Sequence, residues 1–108
     1  MPRLVRVAVL LTILCCIGCV RDLNLREGIL SFRMQNYRDA FVRLMPEALK
    51  GQPDAQYAVG YMYYYGQGVV ENHRKAMHWI HLAAKHGQSE ALVAMKILDT
   101  ERFKEPMR

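Results

Sequence analysis

Cysteine is scarce in this chain and is confined to its first fifth. The 108 residues contain three cysteines, Cys15, Cys16 and Cys19, so residues 20–108 contain none. That region therefore has neither a disulfide framework nor a cysteine nucleophile. A metal site built from the CC-x-x-C cluster is disfavoured, because its surroundings are apolar and no histidine lies nearby. We expect no bound metal and no other cofactor.

Long membrane-spanning runs are also missing. The stretch Val7 to Val20 carries no charged residue but has only 14 residues, fewer than the roughly 20 that a typical spanning helix needs. It follows Arg3 and Arg6, and a basic head before a short apolar segment is typical of a bacterial export signal. A transmembrane anchor stays open as the alternative, because Leu4 and Val5 lengthen the run if Arg6 reaches the interface.

The end of the apolar segment resembles a lipoprotein signal. Gly18 precedes Cys19, as a small residue precedes the cysteine that becomes the acylated first residue of a lipoprotein, although Cys16 stands where leucine is usual. The resemblance implies a signal peptide over residues 1–18, lipidation at Cys19 and a linker over residues 19–24. Signal cleavage without acylation is the alternative.

The excess of positive charge is small. The chain has 15 Lys+Arg and 10 Asp+Glu, a formal net charge of +5, and loss of Arg3 and Arg6 with the signal would leave +3. The basic residues are interspersed rather than gathered in a dense stripe, so we predict no nucleic-acid partner.

The sequence also shows no recognisable arrangement of catalytic residues. Carboxylates are scattered, and no Ser/His/Asp arrangement is evident, so we predict that the protein is not an enzyme. Gly66 and Gly68 lack the Lys and Ser/Thr of a phosphate loop and indicate a turn instead. His78 and His81 have i, i+3 spacing, but flanking cations oppose a bound metal, and we predict a solvated face.

What is present is a repeat with a period of 36 residues. Ala40 matches Ala76, and Gly51 matches Gly87; Ala48 with Ala84, Gln52 with Gln88, and Ala55 with Ala91 are further matches. A fixed period in this range predicts stacked helical hairpins, which usually bind rather than catalyse.

Residues 54–91 resemble a Sel-one-like repeat, a relative of the tetratricopeptide repeat. Leu82 departs from the pattern, since the family often has lysine there. The positions that carry the resemblance, and that it implies are structural, are Ala55, Val59, Gly60, Tyr63, Gly66, Gly68, Ala76, Trp79, Ala83, Ala84, Gly87 and Ala91. The match also includes Val69 and Lys75.

The helical spacings predict an all-α fold. After an N-terminal signal helix we expect five helices, forming a short α/α solenoid of about two and a half hairpins over residues 25–104, followed by a frayed tail over residues 105–108. Asp22 or Asn24 is expected to cap the first of these helices, Asn72 the fourth and Ser89 the fifth. Pro46 is expected to bend the second helix.

The last helix has the pattern of a terminal cap. Ala91, Met95 and Leu98 occupy core positions, but Lys96 stands at the position of Gly60 and Asp99 at that of Tyr63. A charged residue at a close helix contact indicates that no further repeat packs there. Roughly three repeats are usually needed for stability, so self-association is a further expectation.

The third helix has an unusual number of tyrosines. Tyr57, Tyr61 and Tyr64 fall on the side opposite its apolar core positions, and in tetratricopeptide-like stacks the first helix of each hairpin lines the concave surface. Two interpretations stay open: packing on the preceding hairpin around Phe32, Tyr37 and Phe41, or contact with a protein partner.

The resemblances together imply a non-catalytic interaction module, a scaffold or adaptor, anchored at the bacterial cell envelope and facing the periplasm. Val20, rather than Asp, follows Cys19, which favours the outer membrane. The alternatives are a structural envelope lipoprotein without a single specific partner, an inner-membrane-anchored repeat protein and a secreted one.

Overall fold

The computed structural model describes the backbone of residues 2–104 and the side chains of residues 2–15 and 23–100. This part of the chain forms five α-helices and no strand. They are α1 (Pro2–Arg33), α2 (Tyr37–Leu49), α3 (Pro53–Tyr65), α4 (His73–Lys85) and α5 (Ser89–Lys104). Each helix packs against the next along the chain, and α1 also touches α3. The predicted all-α fold, a short solenoid of helical hairpins, is confirmed.

The predicted signal helix and the first repeat helix are one helix in the structure. The backbone of residues 19–24, which the sequence suggested as a linker, is helical, and α1 passes through Asp22 and Asn24 without a cap. No residue in this segment breaks a helix, because it contains neither glycine nor proline. The side chain of Cys19 and residues 105–108 lie outside the described part of the chain. Among the described residues, no helix has an apolar stretch long enough to cross a membrane.

Turn chemistry sets most helix ends. Gly66 ends α3 in the left-handed conformation, with φ of 66°, which glycine adopts without steric cost. The Oδ1 atom of Asn72 accepts a hydrogen bond of 3.0 Å from the backbone N–H of Lys75, so the predicted cap of α4 is confirmed. Helix α2 continues through Pro46 to Leu49.

The predicted cap of α5 is wrong by one residue. Ser89 is the first residue of the helix, and the side-chain Oε1 of Gln88 accepts a hydrogen bond from the backbone N–H of Ala91 at 2.6 Å. Glutamine is an uncommon cap, and the Gln88 side chain is buried here. The hydroxyl of Ser89 instead donates to the Glu90 carboxylate at 2.8 Å.

The core lies between the layers of helices. A first cluster joins α2, α3 and Trp79 of α4; its buried members are Ala40, Leu44, Ala48, Ala55, Ala58, Val59, Met62 and Trp79. A second joins α4 to α5 through Ile80, Ala83 and Ala91. Small residues dominate both clusters, which allows the helices to approach closely. Trp79 is the largest buried side chain in the repeat.

Two glycines mark the closest helix contacts. A Cβ atom on Gly60 would lie 2.7 Å from Cγ1 of Ile80, and one on Gly28 would lie 2.6 Å from Cδ2 of Leu44. Leu44 and Ile80 are 36 residues apart, whereas Gly28 and Gly60 are 32 apart, because the turn between α1 and α2 is four residues shorter than the turn between α3 and α4. With this difference in turn length, the two hairpins use the same contact. Lys96 occupies this position in α5 and is exposed. Among the described residues nothing packs there, as the predicted terminal cap requires.

Candidate binding groove

Helix α3 is buried on one side and lined with tyrosines on the other. Ala55, Val59 and Met62 are completely buried toward α2. Because successive residues in an α-helix are about 100° apart, Tyr57, Tyr61, Tyr64 and Tyr65 lie around the opposite side. The predicted inward face of α3 is therefore confirmed.

The tyrosine side of α3 faces α5 across an open groove. The cavity has a volume of about 580 Å³. Its floor is Ile80 of α4, and its two walls are α3 and α5. The lining residues are Tyr57, Tyr61, Tyr64, Tyr65, Ile80, Ser89, Glu90, Val93, Ala94, Ile97 and Leu98. All three tyrosines singled out from the sequence line it.

Tyr61 also packs on the preceding hairpin. Its ring meets Phe32 of α1 edge-on with the centroids 5.3 Å apart, and Phe32 meets Tyr37 of α2 in the same way at 5.6 Å. Burial raises the pKa of Tyr61, with smaller contributions from the neighbouring Tyr37 and Tyr65. Tyr61 therefore both packs on the preceding hairpin and lines the groove.

Tyr64 is held by the start of α4. Its ring stacks on that of His73 with centroids 4.6 Å apart and planes only 4° from parallel. His73 shares a hydrogen bond of 2.8 Å with Glu71. Tyr65 packs against both Tyr64 and Tyr61, at 5.0 and 4.7 Å. These contacts fix the aromatic wall before any partner arrives, which reduces the ordering cost of binding.

One end of the groove is anionic. Burial raises the pKa of Tyr57, and the negative charge of Glu90 on α5 adds to the effect. The pKa of Glu90 itself is lowered, first by the hydrogen bond from Ser89 and further by its own backbone N–H and by Gln88. At neutral pH this end therefore presents a carboxylate beside an un-ionised phenol.

The α5 wall is apolar, and our sequence analysis did not identify it as part of a site. Val93 and Ile97 are 57% and 53% exposed. They follow Tyr57 and Tyr61 by 36 residues, so the repeat period contained the signal needed to place them beside the tyrosines. Tyr65, in the run of three tyrosines, was also missed.

The residues that carry the resemblance lie in the core and in the turns between helices. Ala55, Val59, Gly60, Ala76, Trp79, Ala83 and Ala91 are buried. Tyr63 is partly buried, meets Phe41 edge-on at 5.6 Å, and lies 5.4 Å from the Nζ atom of Lys75. Gly66, Gly68 and Gly87 all have positive φ in turns.

The outer face of α4 is polar. Arg74, His78, His81 and Lys85 are exposed, as predicted. Among the described side chains, no group of three or more metal-binding residues comes together.

The packing of α1 to α5 defines a short α/α solenoid with an open groove between first helices of successive hairpins. A family model described as Sel1 repeat matches residues 53–88, which span α3, α4 and the turns around them. Helices α3 and α4 are therefore similar to a single Sel1 repeat. Sel1 repeats are generally non-catalytic protein–protein interaction modules. Comparison with curated proteins finds no match, and neither does comparison with solved structures.

Proposed function

We propose that this protein is an exported interaction module that binds a protein segment in the groove between α3 and α5. The groove carries the proposal, because it joins a fixed aromatic wall to exposed aliphatic side chains. Tyrosines held in place by Phe32 and His73 offer large, amphipathic contact area at low entropic cost. Burial of Val93 and Ile97 against a partner's apolar side chains would contribute favourable free energy to binding.

The proposal includes attachment to the bacterial cell envelope. The basic head with Arg3 and Arg6, the short apolar run and the Gly18-Cys19 junction support export and acylation. Acyl chains on Cys19 would hold the repeat at a membrane surface, since each buried CH₂ contributes about 0.8 kcal/mol. Val20, rather than Asp, after the cysteine supports the outer membrane, and we propose that the repeat faces the periplasm.

Groove binding is tested with Ile97→Lys. The side chain is half-exposed and lies in the groove wall, so the lysine places a charge where apolar contact is proposed with little effect on folding. The matched control is Leu92→Lys, on the same helix, 46% exposed and outside the groove lining. A photo-crosslinking residue in place of Tyr64 should give, in cells, a discrete covalent adduct with another protein. The substitution Ile97→Lys should abolish this adduct, and Leu92→Lys should retain it. Equal adduct yields in both variants would refute groove binding.

Attachment is tested separately by intact mass and fractionation of the full-length chain beside Cys19→Ala. We expect loss of residues 1–18 and added acyl mass in the wild type, and neither change in the variant. A wild-type chain that stays unprocessed or lacks acyl mass contradicts the lipid anchor but leaves groove binding intact.

A further inference from the structure

The charge inside the groove has the opposite sign to the charge of the whole chain. Among the described residues, Glu90 in the first turn of α5 is the only charged side chain that lines the groove. The rest of the lining consists of tyrosines, aliphatic side chains, an alanine and a serine. The chain has 15 Lys+Arg against 10 Asp+Glu. Overall composition therefore does not account for an acidic groove.

A second carboxylate lies next to Glu90, at the start of α3. The buried side-chain amide of Gln88 donates to Oε2 of Glu90, and the same nitrogen donates to Oδ1 of Asp54 at 3.4 Å. Asp54 and Glu90 are 36 residues apart, so each wall of the groove carries an acid at the same position of the repeat. One amide group thus holds two carboxylates at the same end of the groove.

Neither of these carboxylates is neutralised by a basic side chain of the described residues. Four other described carboxylates do pair with an arginine, a lysine or a histidine, and they are Glu27, Asp39, Glu47 and Glu71. Within the same part of the chain, no ion pair forms with Asp54 or Glu90. The hydrogen bond from Ser89 also holds the pKa of Glu90 below its usual range. This end of the groove is therefore negatively charged at neutral pH and has no internal cation.

The other end of the groove is apolar, and the helix geometry sets the distance between the two ends. Glu90 and Ile97 line the same side of α5, and their separation along the helix is about 10 Å at a rise of 1.5 Å per residue. On the α3 wall, Tyr57 is close enough to Glu90 for that carboxylate to contribute to its raised pKa. An occupant therefore meets acids and a phenol at one end, and aliphatic and aromatic side chains at the other.

We propose that the groove binds a protein segment in which a lysine or arginine lies about 10 Å from an aliphatic side chain. The basic group lies between Glu90 and Asp54, beside Tyr57, because carboxylates and an aromatic ring both favour a cation. The aliphatic side chain is buried between Ile97 and the tyrosines of α3. This inference rests on the groove binding in the proposed function, to which it adds the chemistry of the partner.

The test selects ligands for the groove without assuming a natural partner. The full-length chain, expressed and processed in a bacterial host and purified in detergent, is used to select peptides from a random library displayed on phage. Fluorescence anisotropy then measures the affinity of each selected peptide, as a synthetic labelled peptide, for the wild type and for variants. Ile97→Lys identifies the peptides that occupy the groove.

The charge is tested with Glu90→Gln and with the double variant Asp54→Asn/Glu90→Gln. The matched control is Asp99→Asn, which removes the same charge from an exposed position of α5 outside the groove lining. Unchanged circular dichroism and melting temperature verify the fold of each variant. Each peptide is also made with citrulline in place of arginine or norleucine in place of lysine, which removes the positive charge from the ligand.

We expect the peptides that Ile97→Lys excludes to carry a lysine or arginine. Glu90→Gln should weaken their binding by up to about fivefold, as for one exposed ion pair, and the double variant should weaken it further. Asp99→Asn should leave their affinity unchanged, and the uncharged peptides should bind wild type and Glu90→Gln equally. High salt should reduce the difference between these two proteins.

Three results would contradict the inference. Groove peptides that bind the wild type and the double variant equally would overturn the basic partner while leaving groove binding standing. Equal weakening by Asp99→Asn would indicate general attraction to an acidic surface and would overturn the basic partner in the same way. A selection that yields no peptide sensitive to Ile97→Lys contradicts both groove binding and the chemistry assigned to its partner.

Discussion

Replacing Gly60 by alanine tests the central packing claim of this fold. The new Cβ would lie 2.7 Å from Cγ1 of Ile80, and 3.1 Å from both the carbonyl oxygen of Ala76 and the backbone nitrogen of Ile80. Two of these three atoms belong to the α4 backbone, so a side-chain rotation of Ile80 cannot relieve the contact. Helix α4 itself must move away from α3.

The expected change in the free energy of unfolding for Gly60→Ala follows from two opposing effects. Overpacking a tight core typically costs about 1–3 kcal/mol. Alanine in place of glycine inside a helix returns about 1 kcal/mol through its better helix propensity. Because the backbone contacts place Gly60→Ala in the upper part of the first range, we expect a net loss of about 1–2 kcal/mol in the free energy of unfolding.

Thermal unfolding followed by circular dichroism measures this loss. Each kcal/mol lowers the melting temperature of a domain of this size by about 4–8 °C. The control is Lys96→Ala, at the aligned position of α5, where no helix packs among the described residues and the melting temperature should stay nearly unchanged. If Gly60→Ala raised the melting temperature, helix propensity would outweigh close packing and the reasoning would be refuted.

Two further changes probe a helix cap and a carboxylate. Asn72→Ala removes the oxygen that accepts from the backbone N–H of Lys75 and should lower the free energy of unfolding by about 1 kcal/mol; an unchanged denaturation midpoint would contradict the cap. Ser31→Ala removes the hydrogen bond of 2.8 Å to Asp39, the largest of the effects that hold the pKa of this carboxyl below 3.8. A carboxyl whose pKa is lower in the folded state stabilises the fold above its unfolded-state pKa, and this stabilisation is lost as the pH falls. The stability of the variant should therefore depend less on acid pH, and NMR titration should give a higher pKa for Asp39. An unshifted titration would contradict the assignment.

The sequence alone determined helices α2 to α5 to within a residue or so at their ends, but it did not determine that α1 runs without a break through residues 19–24. Glycine, proline and asparagine at 51, 53, 66 and 72 set the helix ends by local backbone preferences, which need no tertiary context. The 36-residue period indicated which positions are equivalent in successive hairpins. The spacing of the polar residues along α4 distinguished its exposed side from its buried side.

Only the tertiary structure decided how the candidate site is built. Tyr61 packs on Phe32, 29 residues earlier in the chain, and the groove exists because Val93 and Ile97 stand across from the tyrosines. Helical periodicity places a side chain on a face but does not say what meets it. Such contacts join residues far apart in sequence, so their geometry is set by how the layers of helices pack.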